Sequence, residues 1–397
     1  MLIQFSVKNF MSFRDEAILD MTAINAYKEH EYNLIDMNTK ERFLKVAAIY
    51  GANASGKSNL NHAFDAFRYI IMESFNNVEA DKDKVIDIFY KPFLFEKNIE
   101  NTEFQVIEIV DEYEYKYGFE YNNTCIVSEW LYRKNIKTNR NTIIFERTNE
   151  EINFGATVRK ECESYKNQVP SETLVLSFFN KLKMKTDIFS IVYKVIITTM
   201  IMDSSLCEER DMIEKFLPNT IDKDKNQLLS FLYAIDTGIK DVAYKTDGKR
   251  NFFYTLHEDK EGNNYELPLY SESEGTVKSI IIYMYAKAAV LNNTLMFVDE
   301  LNVKLHPLLL KFIIDLFYVK DSKAQLVYTT HDTTLLDKKF FRRDQIWFVE
   351  KDEEGCSKLN ALSDYRVRSD ASFEKDYLAG VYGGIPLLKE FSLEEGE

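Results

Sequence analysis

Apolar and polar residues alternate from the first position of the chain. In MLIQFSVKNFMSF the residues Leu2, Phe5, Val7 and Phe10 mark one strand, and Ala17–Met21 marks a second. The run Lys45-Val46-Ala47-Ala48-Ile49-Tyr50 predicts a buried strand, and Asn59–Met72 predicts a helix. Phe89–Tyr121 is rich in Phe, Tyr, Ile and Val at period two and predicts an antiparallel meander. Glu129–Phe154 continues it past a polar turn at Lys137–Asn141. The texture changes near Pro170. From Glu172 to Ile235 apolar positions recur at helical spacing, which predicts a mostly helical insertion between two halves of one sheet. Short strands at Val242–Thr246 and Phe252–His257 flank an Asp247-Gly248 turn. A second α/β half follows, with a helix at Val277–Leu291 and strands at Leu295–Val298, Gln325–Thr329 and Gln345–Val349. The expected organisation is therefore 1–154, a helical insertion or arm at 155–240, and 241–397.

Bulk properties narrow the function only slightly. The 397 residues are 45% apolar and 29% charged, an ordinary globular composition. The net charge of −14 argues against non-specific DNA binding, which depends on Lys and Arg. Cys125, Cys162, Cys207 and Cys356 lie far apart and read as reduced thiols of a cytoplasmic protein. The most apolar stretch, Ile188–Met202, is short for a membrane span and reads as a buried helix or strand pair. The acidic tail Ser392–Glu397 reads as frayed.

Chemistry enters at GANASGKS, residues 51–58, which fits the phosphate-binding pattern G-x-x-x-x-G-K-[ST] between a strand and a helix. Backbone amides and a helix N-terminus make an anion cradle there. Gly51 and Gly56 allow close approach of the backbone to phosphate oxygens. Lys57 can reach the β- and γ-phosphates, and Ser58 can place its hydroxyl on Mg²⁺. Gly51, Asn53, Ala54, Ser55, Gly56, Lys57, Ser58 and Asn59 are the candidate nucleotide contacts.

Three further segments fit the same chemistry. The strand Thr294–Val298 runs into Asp299 and Glu300. Asp299 would sit where Mg²⁺ is held, and Glu300 could take a proton from the attacking water. The strand Leu326–Thr330 ends at His331, which could touch a γ-phosphate. Ser273, Glu274 and Gly275 open a long helix and offer a second anion site with no phosphate loop of its own. Two helix-end anion sites in one chain suggest a dimer that sandwiches nucleotide between one subunit's loop and the other's cap.

GANASGKS, SESEGT, LMFVDE and TTHD, in that order, resemble the motifs of ABC-type ATPases. Asn53 is typical of the branch holding the RecF, SMC and OLD-type proteins. The opening LIQFSVKNFMSFRDEAILDMTA, the SEGT signature, DELNVKLHP and the late FEKDYLAGVYGGIP look like the RloA-like ATPases of bacterial defence and abortive-infection loci. The resemblance implies an ABC-type ATPase head of α/β class, with a mixed sheet and antiparallel meander, that uses ATP and Mg²⁺. It implies that Ser273 and Gly275 grip the γ-phosphate of the nucleotide on the partner subunit, with Glu300 as hydrolytic base and His331 as switch histidine. It also implies a homodimer or higher oligomer that regulates a separate effector, RloB-like or another nuclease or toxin, and no membrane. The chain departs from the pattern in two places. Gln105 is only a candidate for the usual glutamine, and Leu301-Asn302-Val303-Lys304-Leu305-His306 lacks the aspartate that often follows the catalytic acid. His306, before Pro307, reads as a helix-start residue. An OLD-type nuclease and a RecF-like DNA repair clamp stay open as alternatives. The clamp would use Lys181, Lys183, Lys185, Arg342 and Arg343 as phosphate contacts.

Overall fold

The computed structural model describes residues 1–37, 39–76, 84–97, 100–149, 151–182, 184–203, 206–248, 250–368 and 371–386. Lys183, the side chain of Cys207 and the tail Ser392–Glu397 lie outside them.

The N-terminal region holds strands β1 (Leu2–Lys8), β2 (Ala17–Asp20), β3 (Leu34–Asp36), β4 (Arg42–Leu44) and β5 (Val46–Tyr50). Helices α1 (Lys57–Glu73) and α2 (Val85–Phe89) follow. The meander is β6 (Thr102–Val110), β7 (Tyr113–Tyr121), β8 (Ile126–Asn135), β9 (Asn141–Thr148) and β10 (Glu151–Phe154). Next come α3 (Arg159–Cys162), α4 (Val175–Lys181), α5 (Ile188–Ile197), β11 (Met200–Met202) and α6 (Leu206–Ala234), which carries a non-helical residue at Asp224. The hairpins β12 (Asp241–Asp247), β13 (Arg250–Glu258) and β14 (Asn264–Pro268) precede α7 (Glu274–Asn292) and β15 (Leu295–Val298). The chain continues through α8 (Pro307–Asp315), β16 (Gln325–Thr330), β17 (Ile346–Lys351), β18 (Ser357–Ala361) and α9 (Phe373–Leu378).

These strands form a mixed α/β structure with two large sheets. One is antiparallel, in the order β10-β9-β8-β7-β6-β1-β2; the other runs β11-β15-β16-β5-β17-β18 and is parallel except for β18. Strand β5, before the stretch 155–240, and β15 to β18, after it, lie in the same six-stranded sheet. The meander joins β1 and β2 in a sheet of its own, and β5 leaves that neighbourhood to pair with β16 and β17. Residue alternation shows that a segment is a strand but not which partner it finds.

The continuous apolar run of β5 has a direct cause. Ala47 and Ile49 face a core that also holds α1 and the antiparallel sheet. Val46, Ala48 and Tyr50 face a second core with α6, α7 and α8. A central parallel strand covered on both faces has no polar side to show. Helix α1 lies between the two sheets, with Leu60, Phe64, Phe67, Ile70 and Ile71 fully buried. The stretch 155–240 is packed into both cores. Leu174, Phe178, Phe189 and Ile196 belong to the first, while Ile213, Leu217, Leu228 and Leu232 belong to the second. Among the described residues, no helix is long and apolar enough to cross a membrane.

Candidate phosphate-binding site

The parallel register gathers the site. Tyr50 pairs with Thr330, and Val298 pairs with Tyr328, so Gly51, Asp299 and His331 all leave the sheet at its C-terminal edge. That edge is where ligands bind in open α/β sheets.

The glycine loop is built to a tight shape. Gly56 has a φ of 113°, and a Cβ there would sit 2.3 Å from Ser357 Oγ and 2.8 Å from Ser12 Oγ. A Cβ on Gly51 would meet the Val349 carbonyl oxygen at 2.5 Å. Asn53 and Ala54 are exposed at the loop tip, and Ala54 holds a positive φ of 62°. Ser55 is buried, and its hydroxyl has no hydrogen-bond partner among the described residues. Lys57 is the first residue of α1 and is 6% exposed. Its ammonium donates to the carbonyls of Gly51 at 2.8 Å and Ala52 at 2.9 Å. Burial holds this ammonium below the usual lysine range, and Glu300 and Asp299 oppose the shift. Ser58 follows, half-buried.

Facing the loop, Asp299 is 5% exposed and its Oδ1 accepts from Thr329 Oγ1 at 2.5 Å. The same hydroxyl accepts from the Glu300 amide at 2.8 Å. Glu300 is half-buried with a φ of 49°. A left-handed non-glycine residue costs about 1–3 kcal/mol and persists only where its surroundings hold it. His331 is exposed, and its Nε2 lies 3.3 Å from Asn302 Nδ2, while Asn302 Oδ1 accepts from Thr330 Oγ1 at 2.8 Å. Ser273 is exposed at the start of α7, where its Oγ accepts from the Thr276 amide at 3.1 Å. A Cβ on Gly275 would lie 2.7 Å from the Lys304 carbonyl oxygen, so this glycine permits close packing of α7 on the loop after Glu300.

These groups fit a magnesium nucleotide. The cradle has no room for Cβ atoms at its two glycines, a buried orphan hydroxyl at Ser55, and a lysine that rests on carbonyls within reach of two carboxylates. Among the described residues, no group of three or more His, Cys, Asp or Glu is gathered for a metal. A metal at this site would therefore rest on Ser58, Asp299 and oxygens of the nucleotide and water.

Several residues come together without having been marked by the sequence. Ser357 Oγ donates to the Ser55 carbonyl at 2.6 Å and lies 2.7 Å from Ser12 Oγ, to which Asn59 Nδ2 donates at 2.6 Å. Asn59, expected at the nucleotide, thus holds the loop to Ser12. Near the C-terminus, Tyr377 donates to the Gly384 carbonyl at 2.9 Å, and a Cβ on Gly384 would lie 3.6 Å from the Cα of Gly51. This gives the late YGGIP stretch a place beside the phosphate loop.

Other sequence candidates lie elsewhere. Gln105 is in mid-β6, where its side chain accepts from Trp130 Nε1 at 3.2 Å. His306 caps α8, its Nδ1 accepting from the Leu308 amide at 3.2 Å. Arg342 is corrected as a nucleic-acid contact. It is fully buried, paired with Asp344 at 2.8 Å, and donates to the carbonyls of Ile24, Tyr27 and Glu29. Arg343 stacks over Tyr27, while Lys181 and Lys185 are exposed.

A family profile described as "AAA domain, putative AbiEii toxin, Type IV TA system" matches residues 46–164 and 205–337. A search of curated proteins finds no match. Among solved structures, an SmcHead bound to the C-winged helix domain of ScpA is 13% identical, covers 94% of this chain and 99% of its own, and has a TM-score of 0.43. An SMC head domain from Thermotoga maritima is 12% identical over 92% of this chain and 99% of its own, also with a TM-score of 0.43.

Proposed function

The chain belongs to this AAA-domain family, and we propose that it is an ATPase that closes as a homodimer around nucleotide and passes that state to a separate effector. The observation that carries this reading is the meeting of Lys57, Asp299, Glu300 and His331 at one sheet edge, with Ser273 exposed on a helix start that has no phosphate loop of its own.

The reaction is attack of water on the γ-phosphorus of ATP. A bond forms from the water oxygen to phosphorus, the bond from phosphorus to the β–γ bridging oxygen breaks, and ADP leaves. Lys57 exchanges the carbonyls of Gly51 and Ala52 for phosphate oxygens, which are better partners for an ammonium. Ser58 and Asp299 would hold Mg²⁺, which when bound would offset the negative charge of the phosphates. Glu300, aimed by the Thr329 hydroxyl, takes the proton of the attacking water. His331 reports the γ-phosphate to Asn302 and the strand behind it. Ser273 and Gly275 of the partner complete the pocket, so turnover requires two copies.

The family's description names a toxin of a type IV toxin–antitoxin system, and the motif resemblance is to RloA-like ATPases of abortive-infection loci. Both support a role in bacterial antiphage defence, with an RloB-like protein or another nuclease or toxin as the effector. The test is phosphate release with Mg²⁺-ATP, parent beside Glu300→Gln. The expected result is turnover by the parent and retained ATP without turnover in the variant. Equal rates in both would overturn the assignment of the base.

A further inference from the structure

Lys278 sits in the second turn of α7 among the apolar residues Val277, Ile280 and Ile281, and is 1% exposed. A buried ammonium needs a specific partner, because burial of an unmatched charge is costly. Its Nζ donates to the backbone carbonyl of Glu300 at 3.1 Å. The other side of that residue, its amide, is held by Thr329 Oγ1 at 2.8 Å. Glu300 is thus fixed from both sides in its left-handed conformation, with φ at 49°.

Two more contacts join the same two segments. Gly275 packs against the Lys304 carbonyl, where a Cβ would lie only 2.7 Å from the oxygen and has no room. Lys304 Nζ also lies 3.7 Å from Glu274 Oε2. The start of α7 and residues 300–304 therefore contact each other at three places along their length. That start carries Ser273, which faces outward, while residue 300 faces the chain's own phosphate loop.

We propose that Lys278 is a positioning residue that ties the Ser273 helix start to the Glu300 backbone of the same subunit. Seating of the partner's triphosphate on Ser273 and Gly275 then sets the aim of Glu300 in the subunit's own pocket. This rests on the dimeric ATPase reading and adds to it a physical link between the two pockets. A methionine of similar length would fill the space without the bond.

The test is Lys278→Met and Lys278→Arg beside the parent and Glu300→Gln, with kcat, KM and equilibrium ATP affinity measured on each. The expected result for Lys278→Met is a kcat at least about tenfold lower, with KM and ATP affinity within about threefold of the parent. Lys278→Arg, which keeps a donor, recovers kcat to within about threefold. A Lys278→Met protein that turns over at the parent rate overturns the proposal while leaving the ATPase reading intact. So does one in which kcat and ATP affinity fall together. A parent with no Glu300-dependent turnover overturns the ATPase reading itself, and the proposal with it. If Lys278→Met does not fold, hydrogen exchange on the Glu300→Gln protein titrated with ATP decides the matter. Residues 274–279 and 300–304 gain protection at one common ATP midpoint if they move as a unit; two separate midpoints overturn the proposal.

Discussion

The Lys57 ammonium rests on the Gly51 carbonyl at 2.8 Å, so the lysine that opens α1 holds the first residue of the loop. The contact closes the loop over its own lysine, and a triphosphate must draw that lysine away. Lys57→Met leaves Gly51 and Ala52 without this donor and removes the charge that phosphate oxygens need. ATP affinity, read by isothermal titration, is expected to fall by about two orders of magnitude, from loss of about 2–3 kcal/mol of charge-assisted bonding. Affinity equal to the parent's would remove Lys57 from the site.

Thr329 serves both acids at once, donating to Asp299 and accepting from the Glu300 amide. Thr329→Val keeps the shape but takes away both bonds and leaves the Glu300 amide unpaired. We expect kcat to drop about tenfold or more, with a stability loss of about 1–3 kcal/mol by urea unfolding. Thr329→Ser keeps the hydroxyl and is expected to retain most of the activity. Equal loss in both variants would mean that the hydroxyl and its two bonds do not by themselves account for the effect.

Gly56 has no room for a side chain. Its φ of 113° and the 2.3 Å that would separate an added Cβ from Ser357 Oγ mean that Gly56→Ala must distort the loop or displace Ser12 and Ser357. The expected outcome is a lower melting temperature, from about 2–4 kcal/mol of destabilisation, together with weakened ATP binding. Ser357→Ala alone should weaken the loop's anchorage more mildly, by about 1 kcal/mol. Melting curves of the two variants, with and without ATP, check the order.

Glu129 sets a pH dependence. It is buried beneath the meander, where it accepts from the amides of Val175 at 2.6 Å and Leu176 at 3.0 Å and from the Tyr117 hydroxyl at 3.0 Å. Burial pushes its carboxyl from 4.5 up to about 7, against the opposing pull of Arg147 and these bonds. Between those two values the folded chain holds more protons than the unfolded one. Stability from this group is therefore full below the lower value and is lost as pH rises through the upper one. The contribution is on the order of 1–3 kcal/mol. Urea unfolding of parent and Glu129→Gln at about pH 5 and about pH 8 is expected to show the parent losing this increment and the variant not. A parallel fall in both would assign the slope to other groups.

Much of the site was legible because its parts are short and contiguous. Strand, loop and helix around residues 46–73 are spelled by one apolar run, one glycine pattern and one helical period. Likewise Asp299, Glu300 and His331 each end an apolar run. What escaped depends on contacts between distant segments. Ser12 and Ser357 reach Gly56 from far upstream and far downstream, and nothing local marks them. Lys278 looks like any lysine on a helix until the Glu300 carbonyl is seen above it. Arg342 reads as surface charge because sequence does not reveal that backbone carbonyls of residues 24–29 close around it. The order of the strands within the parallel sheet was hidden for the same reason, since strand pairing is a property of two segments.

The central claim is that each subunit finishes the other's pocket, and mixing two inactive variants tests it most directly. Lys57→Met removes one subunit's own loop, and Ser273→Arg blocks the helix start offered to the partner. Each is expected to be inactive alone. Mixed in equal amounts, they can form heterodimers in which one of the two pockets has both an intact loop and an intact helix start. Phosphate release should then reappear at about one quarter of the parent rate, since about half of randomly paired dimers carry one working pocket out of two. A mixture as inactive as its components, in a preparation shown to exchange subunits, or a Ser273→Arg protein that hydrolyses ATP at the parent rate, would contradict the account.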